Sequence, residues 1–159
     1  MNPPSGVLTE TFRCELITEA LQLAGTVQLR VGGWSMLPTI WPGDIVLIKA
    51  ADQNSVRTGD IALFRRGENL TVHRILDIDE TAGQILSRGD AMPQSDPSFS
   101  SRELLGKVEF VLRNGKRIEP SRNLGLAQRA MADLMQRSET AARVAVTAHQ
   151  MYRELSSSS

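Results

Sequence analysis

Apolar side chains recur at helical spacing over residues 8–24 and predict an amphipathic helix at the start of the chain. Thr9 is a candidate N-cap, and Gly25 stands where a helix commonly ends. The polar face carries glutamates, whereas membrane-surface helices favour lysine and arginine. We therefore expect the helix to pack on the rest of the fold, with Cys14 as an ordinary helix residue. Residues 1–7, rich in proline and small residues, are expected to be a disordered start.

The pattern between residues 26 and 120 is that of β-strands. Short apolar runs alternate there with turn signals, at residues 28–31, 45–48, 61–64, 71–76, 84–86 and 107–112. Residues 65–69 are expected to form a hairpin loop, and Asn114-Gly115 a two-residue hairpin turn, because both positions tolerate positive φ. No long helical pattern interrupts this region. It therefore predicts a mainly β (α+β) fold whose core is a coiled antiparallel sheet or barrel.

After Pro120 an apolar stripe at helical spacing returns and predicts one long helix or two shorter ones, with Ser121 or Ser138 as candidate caps. Arginines dominate the polar positions of this segment. They indicate either the solvated face of a docked helix or a contact with a partner protein or a membrane surface. The predicted organisation is a folded domain over residues 8–120, a helical extension over 121–155 and a frayed tail over 156–159.

Composition narrows the classes of function. A chain of 159 residues can bury one core, and its formal net charge of zero predicts no nucleic-acid partner. Its single cysteine excludes an internal disulfide bond. The first six residues lack the basic and apolar regions of a signal peptide, so we expect a cytoplasmic location, with peripheral membrane association through the C-terminal helix left open.

Candidate chemistry begins at Ser35, which lies between a glycine pair and a turn stiffened by proline. A serine hydroxyl is inert near neutral pH without a base, and His73, in the middle of a predicted strand, is the natural candidate. A neutral imidazole needs a third group to fix its tautomer, normally a carboxylate. Asp90 and Asp96, in a turn-rich loop after a strand, are both candidates.

Five segments in order resemble the sequence boxes of type I signal peptidases and their relatives, the S26 branch of serine peptidases that also includes self-cleaving repressors. They are residues 35–39 (SMLPT), 42–46 (PGDIV), 58–64 (TGDIALF), 72–75 (VHRI) and 89–96, where Gly89-Asp90 is followed by Asp96. Most bacterial members have lysine where this chain has His73. A histidine there is similar to the endoplasmic-reticulum and archaeal type of signal peptidase.

The resemblance implies a fold of coiled antiparallel sheets and the cleavage of a peptide or precursor protein after small residues. Ser35 would be the nucleophile and His73 the general base, and either Asp96 or Asp90 would orient the imidazole. The oxyanion would be bound by the backbone N–H of Ser35, with help from around Gly33. The substrate would lie along residues 31–35 and 71–73 as an added strand, and the binding residues would include Gly33, Trp34, Met36 and Val72.

The chain departs from these relatives just before the nucleophile. Gly33 and Trp34 stand where signal peptidases have a serine and a small residue, and the helix over residues 8–24 takes the place of their membrane anchor. Three functions therefore remain open. The first is a serine endopeptidase, the second a catalytically weak relative that binds peptides or a partner, and the third a regulator that cleaves itself at Ala24-Gly25.

Other kinds of catalysis fit the sequence less well. Two distant histidines and one cysteine do not make a zinc site, so no metal and no other cofactor is predicted. A lysine base would require Lys49 or Lys107 to lie beside the nucleophile.

Overall fold

The computed structural model describes residues 5–157, and within them all side chains except those at positions 5–9, 139, 141, 142 and 152–157. Within this described part, eight strands form one antiparallel sheet. The strands are β1 (Thr26–Arg30), β2 (Ile45–Ala50), β3 (Ile61–Arg66), β4 (Asn69–Asp79), β5 (Gln84–Arg88), β6 (Phe99–Ser100), β7 (Leu104–Arg113) and β8 (Lys116–Ile118). Short 3-10 turns occupy Gln53–Ser55 and Ser101–Glu103.

The sheet is open in the described residues, with β1 and β6 at its two ends, in the order β1-β2-β7-β3-β4-β5-β6. Of the two predicted forms, a sheet and a closed barrel, the sheet is therefore the one observed. β7 binds β2 along most of its length, while β3 pairs with its first residues and β8 with its last. The predicted turn Asn114-Gly115 joins β7 to β8, and both residues have positive φ, 51° and 73°.

Within residues 5–157, three helices flank the sheet. α1 spans Ser5–Ala24, α2 spans Leu126–Arg137 and α3 spans Glu139–Ser157. The first helix begins three residues earlier than predicted, which places Thr9 inside it rather than at its N-cap. The predicted disordered start therefore does not extend to residue 7, and its residues 1–4 lie outside the described part.

The C-terminal segment forms two helices separated by Ser138, and α2 follows Gly125 rather than Ser121. The last helix continues through Ser157, beyond the predicted start of the tail, and residues 158–159 lie outside the described part. None of the helices described is long and apolar enough to cross a membrane.

Among the side chains that the structure describes, buried apolar residues form three clusters. One lies between α1 and the sheet and includes Ile17, Leu21 and Val46. A second lies under β3, β4 and β5 around Phe64. The third joins the C-terminal helices to the rest of the fold through Leu37, Ala91 and Met135. Because Leu37 is close in sequence to Ser35, packing in this third cluster also restrains the backbone near Ser35.

Candidate active site

The segment that carries Ser35 links β1 to β2 and closes on itself through backbone hydrogen bonds. Val31 N–H donates to Asp44 O at 2.8 Å, and Gly43 N–H donates to Val31 O at 2.7 Å. The two residues after Ser35, Met36 and Leu37, are almost completely buried. Burial of these two side chains fixes the turn that follows Ser35, and the backbone of this turn therefore holds Ser35 in one place.

Ser35 and His73 are in direct contact. Ser35 Oγ lies 2.9 Å from His73 Nε2, and His73 Nδ1 lies 2.6 Å from Asp96 Oδ2. Because Nδ1 faces a carboxylate, its proton belongs on that nitrogen, which leaves Nε2 free to accept the Ser35 hydroxyl proton. The three side chains thus form a hydrogen-bonded row in the order serine, histidine, aspartate, an arrangement that is chemically able to activate a serine hydroxyl.

Asp96 is held in place by contacts of its own. Ser87 Oγ donates to Asp96 Oδ2 at 2.6 Å, and Asp96 N–H donates to Ser87 O at 2.8 Å. Arg66 Nη1 lies 3.9 Å from Asp96 Oδ1, and its guanidinium packs over the Phe64 ring. The carboxylate is therefore fixed in orientation by a buried hydroxyl and lies near a cation.

Asp90, the other candidate for orienting His73, is occupied elsewhere. Both of its carboxylate oxygens lie 2.7 Å from the Arg74 guanidinium, at Nε and Nη2, and Thr39 Oγ1 donates to it at 2.5 Å. Arg74 also donates to Gly59 O at 2.8 Å. Of the two predicted aspartates, only Asp96 contacts the histidine, because Asp90 forms a buried ion pair with Arg74 instead.

The turn after β5 presses against the Ser-His pair. Ala91 N–H donates to Ser35 O at 2.9 Å. A Cβ at Gly89 would lie 2.5 Å from Ser35 O and 3.0 Å from His73 Nε2, so only glycine fits at this position. Gly89 and Ala91 therefore belong to the site although neither carries a reactive group.

A cleft of about 460 Å³ opens beside Ser35 and His73. Both segments predicted to bind substrate line it, residues 31–33 with Ser35 and residues 71–73. Gly33, Met36 and Val72 are among the lining residues, whereas Trp34 is not and lies partly exposed outside the cleft.

The first helix forms a wall of this cleft that the sequence did not reveal, through Glu10, Arg13, Cys14 and Ile17. Burial raises the pKa of the Cys14 thiol. The thiol therefore stays protonated near neutral pH and acts as an apolar part of the wall.

Neither lysine considered as a base lines the cleft. Lys49 pairs with Glu109 across the exposed surface of β2 and β7, and Lys107 lies 3.8 Å from Asp60. His73 is therefore the base candidate in contact with Ser35.

Ser87 was missed because a lone serine in a strand carries no catalytic signature. Ser87 lies two residues after the buried Ile85 on β5, so the period of a strand places both side chains on its inward face. This spacing was the sequence signal that could have indicated a buried role for Ser87.

Comparison with protein families identifies the family of the chain. The model of the S24-like peptidase family matches residues 10–109, which is more than half of the chain, so the chain belongs to this family. No curated protein matches it. The matched segment contains Ser35, His73 and Asp96 and ends before the C-terminal helices.

Proposed function

We propose that this member of the S24-like peptidase family is a serine endopeptidase that uses Ser35 as nucleophile and His73 as general base. The observation that carries the proposal is the continuous row Ser35 Oγ–His73 Nε2 and His73 Nδ1–Asp96 Oδ2, at 2.9 and 2.6 Å, at the edge of a cleft. Both distances are within the range over which a base takes a proton from a nucleophile.

In the proposed mechanism, Ser35 Oγ attacks the carbonyl carbon of the scissile peptide bond while His73 Nε2 takes the hydroxyl proton. Asp96 stabilises the imidazolium that forms. His73 then gives the proton to the leaving amine, the C–N bond breaks, and an acyl group remains on Ser35. Water, deprotonated by the same imidazole, hydrolyses this ester and restores the serine.

Transition-state charge would be stabilised by the backbone around the nucleophile. Ala91 fixes the carbonyl of Ser35, and within residues 5–157 the Ser35 N–H donates to no protein acceptor, so it is available to the oxyanion. Loss of one such donor in other serine peptidases costs about 3 kcal/mol of activation free energy.

The substrate we infer is an extended peptide with small residues before the scissile bond. The cleft is walled by apolar side chains from α1, β1 and β4, such as Ile17, Leu29 and Val72, and it runs along backbone that an added strand could pair with. The proposed substrate is either a free peptide or an extended segment of a longer precursor protein.

Self-cleavage at Ala24-Gly25 receives less support than cleavage of another chain. Gly25 directly follows α1 and has a φ of 72°. Its N–H donates to Leu21 O at 2.9 Å, and its carbonyl accepts from Ala50 N–H at 2.8 Å. A peptide bond whose neighbouring groups are held in this way would have to leave the sheet to reach Ser35. A peptide-binding relative without catalysis would use the same cleft but has no need of the ordered Ser-His-Asp row.

A peptide library tests the proposal. The purified protein is incubated with peptides carrying small residues before the cleavage position, and products are identified by mass spectrometry. We expect cleavage by the wild type and none by Ser35→Ala or His73→Ala. If the wild type binds library peptides but cleaves none, the peptide-binding alternative replaces the proposal.

A further inference from the structure

The helix α2 reaches the turn next to the nucleophile through one side chain. Gln136 Nε2 donates to Asp90 O at 3.1 Å. The peptide group that contains this carbonyl also contains the Ala91 N–H, which donates to Ser35 O at 2.9 Å. A single peptide group is therefore bonded on both sides, and it links a C-terminal helix to the backbone of Ser35.

Packing of α2 fixes the position of Gln136, the residue at which this link begins. Met135, next to Gln136, is buried against Leu37 and Ala91. Trp41 also contacts His149 of α3, with the two rings tilted by 36° and 4.4 Å between their centroids. The helices therefore cannot shift without disturbing the buried side chains that flank Ser35.

From this arrangement we infer that Gln136 is a positioning residue for the nucleophile. Hydrogen bonds in series polarise one another, so the bond from Gln136 strengthens the bond from Ala91 to the Ser35 carbonyl. Fixing that carbonyl restrains ψ of Ser35, and thereby the position of the Cα that carries the side chain with Oγ. The inference rests on the proposed function and adds a contribution from outside the family-matched segment, residues 10–109.

The test compares Gln136→Met, which keeps the length of the side chain and removes the donor, with Gln150→Met on the exposed part of α3 as the matched control. Two quantities are measured: kcat and KM on a cleaved library peptide, and the exchange rate of the Ala91 amide hydrogen by NMR. For Gln136→Met we expect kcat to fall about three- to tenfold at unchanged KM, as for the loss of one partly buried hydrogen bond. We expect Ala91 exchange to accelerate by a similar factor, and Gln150→Met to match the wild type in both.

Unchanged kcat and unchanged exchange in Gln136→Met would overturn the inference, and so would an equal loss in Gln150→Met. If Gln136→Met does not fold, Gln136→Glu serves instead, because it keeps the shape and replaces the donor with an acceptor. If the wild type cleaves no peptide, the proposed function fails, and Ala91 exchange decides alone. Faster Ala91 exchange in Gln136→Met then supports the positioning role of Gln136, and an exchange rate equal to that of the wild type refutes it.

Discussion

Two aspartates only six residues apart should respond in opposite ways to the same substitution. Asp96 contacts His73 Nδ1, whereas Asp90 contacts Arg74, and both side chains are largely buried. We predict that Asp96→Asn abolishes most activity with little loss of stability. Asp90→Asn should instead lower stability, and its effect on activity should be the smaller of the two.

The magnitudes follow from the contacts. An amide at position 96 cannot hold the imidazole in the required tautomer, and the equivalent change in chymotrypsin-type enzymes lowers kcat about 10⁴-fold. We expect a loss of about 10²- to 10⁴-fold here, since Ser87 and Arg66 still surround the site. Removing the charge of Asp90 leaves the Arg74 guanidinium buried without its counter-ion, which costs about 3–5 kcal/mol of unfolding free energy. For a chain of this size that is a fall in Tm of about 6–20 °C.

Both variants are measured for kcat/KM on a cleaved library peptide and for Tm by calorimetry, each against the wild type. Asp96→Asn is expected within about 4 °C of the wild-type Tm, because the amide oxygen can still accept the Ser87 hydroxyl and the contact with His73 is the one chiefly weakened. Full activity in Asp96→Asn would refute the assignment of Asp96. A Tm of Asp90→Asn equal to that of the wild type would refute the structural role of its ion pair with Arg74.

Three further predictions concern the same region. Gly89→Ala should lower kcat/KM more than tenfold, because its Cβ would lie 2.5 Å from Ser35 O. The control Gly125→Ala should retain the wild-type kcat/KM, because its Cβ would meet only Gln128 Oε1, at 3.8 Å. Equal kcat/KM in the two variants would contradict the steric argument. A histidine base predicts kcat/KM that rises from acid towards neutral pH and then levels off, since His73 must be neutral to accept a proton; a rise that continues well above about pH 8 would indicate a lysine. Burial raises the pKa of the Cys14 thiol, so the folded state keeps this proton to higher pH than the unfolded chain does. The free energy of unfolding should accordingly fall as pH rises above about 8.5, the ordinary thiol pKa, and urea denaturation of Cys14→Ala should lack this component.

Strand periodicity was enough to predict the fold class, because each strand buries alternate apolar side chains. The turn Asn114-Gly115 was predictable for a similarly local reason, since its residues tolerate positive φ. The open form of the sheet was not predictable. Closure depends on which strands pair at the ends, and the alternation of side chains within β1 and β6 carries no information about that.

The choice between the aspartates needed structure, although one local rule pointed to it. His73 and Arg74 are consecutive on β4, so their side chains leave the strand on opposite faces. Asp90 is drawn to the face of Arg74, while Asp96 is tied to β5 by Ser87 and reaches the face of His73. The sequence contained both carboxylates at suitable spacing and could not show which face each loop residue would reach.

The C-terminal helices illustrate a different limit. Their existence followed from helical spacing, but their contact with the nucleophile turn depends on Met135 and Gln136, two side chains without any sequence signature. Whether the exposed face of these helices also binds a partner protein or a membrane surface stays a prediction.

In the proposed mechanism Ser35 becomes acylated during turnover, and this acyl intermediate can be trapped. The protein is mixed with an activated ester of a short peptide ending in a small residue, quenched with acid within milliseconds to seconds, digested and analysed by mass spectrometry. The mechanism predicts an acyl group on Ser35 in the wild type, and no acyl group in Ser35→Ala or in His73→Ala. An acyl group on another residue, or hydrolysis by Ser35→Ala at the wild-type rate, would contradict it.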